Sequence, residues 1–223
     1  MNLIRSLIVS ALVPVIAACS GGTEQLQNQA NLASEIRTSV TNQRKAEAVP
    51  EIVLTRALLD QLATPSLEIV SEKRERTAFL SPFSNRGDVS IWQTVDGSQA
   101  VLKQGLLIAT RGIGGDLASS DSASTLASLK QRSGSTTRRL FLRNGNSGQD
   151  QLTLSCSLQD LGRENLEVVE KVYETYHLRE NCRVGSGTIT NDYWIETRSG
   201  LIRQSRQWVG SEIGYLRLRV LKE

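Results

Sequence analysis

The chain has 223 residues, with a hydrophobic fraction of 39%, a charged fraction of 22% and a formal net charge of +3. That length and composition suit a globular protein of one ordinary domain with a real core, resting on Leu, Ile and Val because aromatics are only 4%. Basic and acidic residues alternate throughout, so no basic stripe argues for a nucleic-acid partner.

Met1 to Cys19 reads in three parts: a basic start at Arg5, an apolar run from Leu7 to Ala18, and the tetrad Ile16-Ala17-Ala18-Cys19. A helix over that run spans roughly 18 Å against a hydrocarbon core of roughly 30 Å, so the segment reads as a signal peptide over 1–18 and not as a membrane span. Small residues at 17 and 18 before a cysteine match the bacterial lipoprotein box, with Ile16 where the pattern prefers Leu. The alternative is an ordinary signal peptide whose cysteine is accidental. Under the lipoprotein reading Cys19 becomes the first mature residue and carries the acyl chains. Each buried CH₂ contributes about 0.8 kcal/mol, so these chains anchor the protein to a membrane without a spanning helix. Ser20 follows the cysteine, where enteric bacteria use aspartate to hold lipoproteins at the inner membrane. The expected location is therefore the outer membrane, facing the periplasm.

Residues 19–49 form the lipidated start and a polar tether, in which Leu26, Leu32, Ile36 and Val40 allow a helix over about 27–44. Pro50 opens a single domain over 50–223. Thr55 to Leu62 has a helix start signal, with Leu58, Leu59 and Leu62 on one face, and Pro65 ends it. The hydrophobic period then drops to two. Strands are expected over 66–71, 77–82, 88–95, 99–103 and 106–110, with Asp96-Gly97 as a hairpin turn. Residues 112–116 follow the last of these as a glycine-rich corner. A helix over 119–132 turns Leu126 and Leu129 inward. Further strands are expected over 136–143, 151–158, 166–178, 187–196, 201–209 and 214–221, with Asp160-Leu161-Gly162 as one of the separating turns. The pattern predicts an all-β, mainly antiparallel domain, a barrel or strongly curved sheet with one or two short peripheral helices. Charged residues on the outer faces, such as Glu174 and Arg217, argue against a lipid-facing barrel.

With Cys19 lipidated, Cys156 and Cys182 remain as an even pair in an oxidising compartment, and a disulfide is expected. Closing that loop contributes about 3–4 kcal/mol in the chain-entropy model. His177 is the one histidine, which leaves no ligand set for a metal and no ordinary Ser–His–Asp triad. The Gly112–Gly115 turn lacks the lysine and hydroxyl of a nucleotide loop. Asp116, Asp121, Asp192 and Glu196 supply carboxylates for a glycosidase, but no spacing marks a pair. No cofactor and no catalytic residue are expected. Asn191-Asp192-Tyr193-Trp194 and Arg206-Gln207-Trp208 lie on neighbouring strands, where Trp with Arg and Asp suits sugar contact; the competing reading makes both tryptophans core residues. If they are exposed and adjacent, glycan contact is favoured; if buried and apart, a scaffold.

The segment Gly105–Leu117 (GLLIATRGIGGDL), the surroundings of Cys156 and Cys182, and the stretch over 190–214 resemble the YjbF family of bacterial lipoproteins, encoded with capsule and exopolysaccharide secretion genes. The resemblance covers most of the mature chain and implies a β-barrel-like domain without catalytic residues. Its glycine turn, here Arg111 to Asp116, reads as a rigid corner with an Arg111–Asp116 contact. The combined expectation is an outer-membrane lipoprotein assisting capsule or exopolysaccharide production or export as a binding or assembly component. Its partners would be the membrane, other secretion proteins and polysaccharide. The expected contact residues are Arg111, Asp116, Asp192, Tyr193, Trp194, Arg206 and Trp208. A glycan-modifying hydrolase and a purely structural scaffold are the alternatives.

Overall fold

The computed structural model describes residues 53–145 and 148–223. The signal peptide, Cys19, the tether with its expected helix, Pro50 and Asn146 lie outside the described residues.

Residues 54–223 form one compact unit. Its strands are β1 (Ser66–Ser71), β2 (Arg76–Arg86), β3 (Val89–Gln93), β4 (Gln99–Lys103), β5 (Leu106–Arg111), β6 (Leu117–Ser120), β7 (Gly134–Arg143), β8 (Gln149–Val168), β9 (Lys171–Val184), β10 (Gly187–Glu196), β11 (Ile202–Trp208) and β12 (Tyr215–Lys222). Helix α1 (Arg56–Gln61) precedes the sheet, and α2 (Ala123–Gln131) joins β6 to β7. The sheet order is β5-β4-β3-β2-β1-β12-β11-β10-β9-β8-β7-β6. Every ladder is antiparallel, and β1 pairs with β12, so the first and last strands lie side by side. One junction, between β5 and β6, has no ladder. The result is the all-β, nearly closed barrel that the alternation predicts.

The inside of this barrel is filled. The main core packs Leu67, Leu80, Leu102, Leu107, Leu154 and Leu218 from both walls. A second cluster places Leu126 and Leu129 of α2 against Leu106, Leu178, Tyr193 and Ile202. The helix thus fills the interior beside the unpaired stretch of β5. Opposite walls come close: a Cβ on Gly105 would lie 3.2 Å from the Ile202 Cβ on β11. The disulfide forms between directly opposed residues, Cys156 on β8 and Cys182 on β9, with Cα atoms 3.9 Å apart.

Four local expectations are corrected. Asp160-Leu161-Gly162 is a bulge inside the 20-residue β8, where the ladder jumps between Asp160 and Arg163. Gly162 donates its amide to the Asp160 carboxylate at 2.8 Å, which kinks the strand without ending it. The hairpin instead turns at Val169-Glu170, where both residues have φ > 0 (47° and 59°). No glycine marks this turn. Arg56 of α1 holds it, donating to the Val168 and Val169 carbonyls at 2.5 and 3.1 Å and to the Leu221 carbonyl at 2.9 Å. Third, residues 117–120 form β6 before the helix starts at Ala123. In α1, finally, only Leu59 is buried, while Leu58 and Leu62 face solvent.

Candidate functional site

The glycine turn is a fastener for the open junction. Asp116 accepts from the Thr110 hydroxyl at 3.0 Å and from the Gly112 and Ile113 amides at 2.9 and 3.2 Å. Thr110 in turn accepts from the Leu117 amide at 3.0 Å. Ion pairs of the Asp116 carboxylate with Arg111 are not formed; Arg111 points to solvent. The cation that does reach the turn is Arg74, which donates to the carbonyls of Ile113 and Gly114. Gly115 has φ of +70°, and an added Cβ would meet the Glu212 side chain at 2.6 Å. The corner is held by Asp116, Thr110 and Arg74, not by an Arg111–Asp116 contact.

Tyr193 lies inside the barrel, fully buried. Its hydroxyl sits 3.2 Å from Glu180 and 3.3 Å from Arg138, and the last two pair at 3.3 Å with 1% exposure each. Arg138 also reaches Ser120, the Leu107 carbonyl and Gln207 at 3.1, 3.4 and 3.3 Å. Asn191 donates to Glu180 at 2.8 Å. Burial, followed by the Glu180 charge, pushes the Tyr193 phenol well above its usual range. Burial would lower the Arg138 guanidinium, but Tyr193 and Glu180 outweigh it and hold it above its ordinary value. This network joins β5, β6, β7, β9, β10 and β11 with its polar atoms spent on one another, which makes it structural.

Alternation puts Asp192 and Trp194 on the opposite, outward side of β10. The register aligns Trp194 with His177 of β9 and Gln204 of β11, and Asp192 with Arg179 and Arg206. Asp192 accepts from Arg179 Nε at 2.8 Å and faces His177 Nε2 at 3.0 Å. His177 Nδ1 faces Glu164 at 2.9 Å, and the imidazole stacks on Trp194 with centroids 4.4 Å apart. Trp194 donates to the same Glu164 at 3.1 Å. Beside them Arg206 makes a two-pronged pair with Glu72 and lies 3.5 Å over the Tyr215 ring. The Glu72 hydrogen bond raises the Arg206 guanidinium above its ordinary value.

Trp194 packs half-buried against a small cluster of Leu59, Leu166, Val168, Tyr173 and Leu221, whereas Trp208 packs half-buried against the main core. Trp194 is aligned with Gln204 and Trp208 with Tyr215, so the two are neither exposed nor adjacent. Of the seven expected contacts, the fold brings Asp192, Trp194 and Arg206 to one face. It sends Tyr193 inward and places Arg111 and Asp116 at the junction. Glu164, His177, Arg179, Glu72 and Tyr215 belong to this face and were not singled out. Strand parity is the signal for His177, Arg179 and Tyr215, the β8 bulge conceals it for Glu164, and Glu72 lies in the β1–β2 turn.

A concavity of about 520 Å³ lies at one end, between α1, the β8–β9 turn and the C-terminal strand. Part of its charge is tied down. Arg203 bonds Glu196 at 2.8 Å and also pairs with Glu223, and Lys222 donates to the Asp60 and Leu62 carbonyls. Burial would raise the Glu196 carboxyl, but Ser199 and Arg203 hold it below its ordinary value.

Together these features define a small antiparallel barrel with a filled interior braced by a buried polar network. The family model described as group 4 capsule polysaccharide lipoprotein gfcB, YjbF, matches residues 33–221, and the chain belongs to that family. Among solved structures it is similar to the hypothetical lipoprotein YmcC from Escherichia coli (K12), with a TM-score of 0.67 and 18% identity over 85% of this chain and 94% of that one. That likeness is one of fold. No curated protein matches the chain.

Proposed function

We propose that this chain is an outer-membrane lipoprotein, anchored through Cys19 and facing the periplasm, that assists capsule or exopolysaccharide export as a binding or assembly component. The observation that carries the non-enzymatic part is how the acid–base groups are engaged. His177, the one histidine of the chain, has a carboxylate at each ring nitrogen. Glu196 is held by Arg203 and Ser199, and Asp116 by Thr110 and two backbone amides. General acid–base catalysis needs such a group facing the substrate. The family description supports the pathway.

The test is genetic. Deleting the gene in its host should lower surface polysaccharide, and wild type should restore it. Cys19→Ala should leave the protein off the membrane and fail to restore it. Normal surface polysaccharide in the deletion strain would sink the reading.

A second reading, a scaffold that contacts only proteins, is favoured by one observation: Phe79 and Phe83 of β2 are 53% and 62% exposed. Exposed aromatics of this kind suit protein interfaces. Photo-crosslinking from position 83 in living cells checks it, with capture of a single defined secretion protein as the expected outcome.

A further inference from the structure

We propose that the outer face of β7 to β10, continued by arginines onto β11 and β12, binds an acidic polysaccharide. This deepens the function proposed above and rests on it. The face is built from two cross-strand rows. One runs Thr137–Ser155–Arg183–Thr188 and the next Ser135–Ser157–Asn181–Thr190, each set by the ladder register. Their inward neighbours, Cys156, Cys182 and Ile189, lie in the core, so parity turns both rows outward. A trough of about 550 Å³ runs over them.

Three features select the ligand. First, the side chains are small and polar, and Thr190 to Asn181 at 3.2 Å is the one side-chain bond within the rows among the described residues. The remaining hydroxyls keep their donors and acceptors for a partner. Neighbouring strands lie about 4.8 Å apart, so each row repeats a polar group at a spacing close to one sugar unit.

Second, no carboxylate lines the trough, whereas Arg183 does and pairs with no described residue. Third, the adjoining row Arg179–Asp192–Arg206–Arg217 carries three arginines. Its one carboxylate is bonded to Arg179, and Glu72 holds Arg206 from the β1–β2 turn, which leaves Arg217 as the arginine of this row with no carboxylate partner among the described residues. Arg206 stands directly opposite Arg217, a like-charge pairing that Glu72 offsets on the Arg206 side alone. The Arg217 Nε is buried without a hydrogen-bond partner. A polyol carrying regular negative charge satisfies all three: its hydroxyls meet the rows, and its carboxylates meet Arg183 and Arg217.

The test titrates the full-length lipoprotein, in detergent micelles, with alginate oligomers (a polyuronate) and with dextran (a neutral glucan) by calorimetry. Saturable alginate binding is expected, with dextran much weaker. Arg183→Gln should weaken alginate about tenfold, the worth of one hydrogen-bonded charge. Ser157→Glu, which puts a carboxylate into the trough, should weaken it as well. Lys103→Gln removes the same charge from β4 and should change nothing; all three sites are at the surface, and unchanged melting temperatures confirm the fold. Alginate binding that ignores Arg183→Gln and Ser157→Glu overturns this surface while leaving polysaccharide binding standing. Equal binding of dextran overturns the acidic selectivity. If neither polymer binds, this proposal falls, while the export role stands or falls on the deletion phenotype.

Discussion

The Asp116 carboxylate and the Thr110 hydroxyl, 3.0 Å apart, close the barrel at the junction where β5 and β6 share no ladder. A side chain there does the work that backbone bonds do at every other junction. Asp116→Ala should therefore cost about 1–3 kcal/mol, the penalty for leaving buried donors unpaired. Hydrogen exchange at the Gly112 and Ile113 amides should speed up with it. Urea unfolding and exchange mass spectrometry read both, and unchanged exchange would remove the fastener role.

The glycines of this region separate two effects. Gly115 and Gly87 have similar φ values, +70° and +61°, but a Cβ at Gly115 meets Glu212 at 2.6 Å, and at Gly87 meets nothing within 4 Å. Gly115→Ala should destabilise more than Gly87→Ala. The difference is the steric contribution alone, measured as the gap in denaturation midpoint.

The Arg138–Glu180 pair, at 1% exposure, predicts strong non-additivity. Arg138→Met or Glu180→Leu alone leaves a buried charge and should cost about 3–5 kcal/mol. The double variant should be more stable than either single one. Additive losses in a double-mutant cycle would mean that the two residues act separately.

Glu196 gives a pH dependence. Its folded carboxyl is held below its ordinary value because Ser199 and Arg203 outweigh burial. A depressed folded value means its stabilisation is present above the unfolded pKa and is lost as pH falls through the folded one. Wild type should lose stability below about pH 4.5 more steeply than Glu196→Gln. Acid titrations of melting temperature check the sign.

Much of the architecture was legible because hydrophobic patterning reports strands: β4 and β10 fall where period two puts them, β5 where a short apolar run does, and Leu126 and Leu129 of α2 face inward as spaced. The β8–β9 hairpin was not legible. Gly162 imitates a turn but makes a bulge, and the real turn at Val169-Glu170 is held by Arg56, more than a hundred residues away. That error also hid the site. Which residues of β8 stand beside His177 and Trp194 depends on the bulge register, so Glu164 could not be placed. Asp192, Trp194 and Arg206 were found because their strands pair without a break there, whereas Tyr193, one residue over, points the other way.

The most direct test incubates the purified full-length lipoprotein with the host's own surface polysaccharide and follows both binding and polymer length by size-exclusion chromatography. The account predicts that polymer and protein co-elute and that chain length stays unchanged over many hours. Shortening of the polymer that disappears in Glu164→Gln or Glu196→Gln protein would contradict it and make the chain a hydrolase.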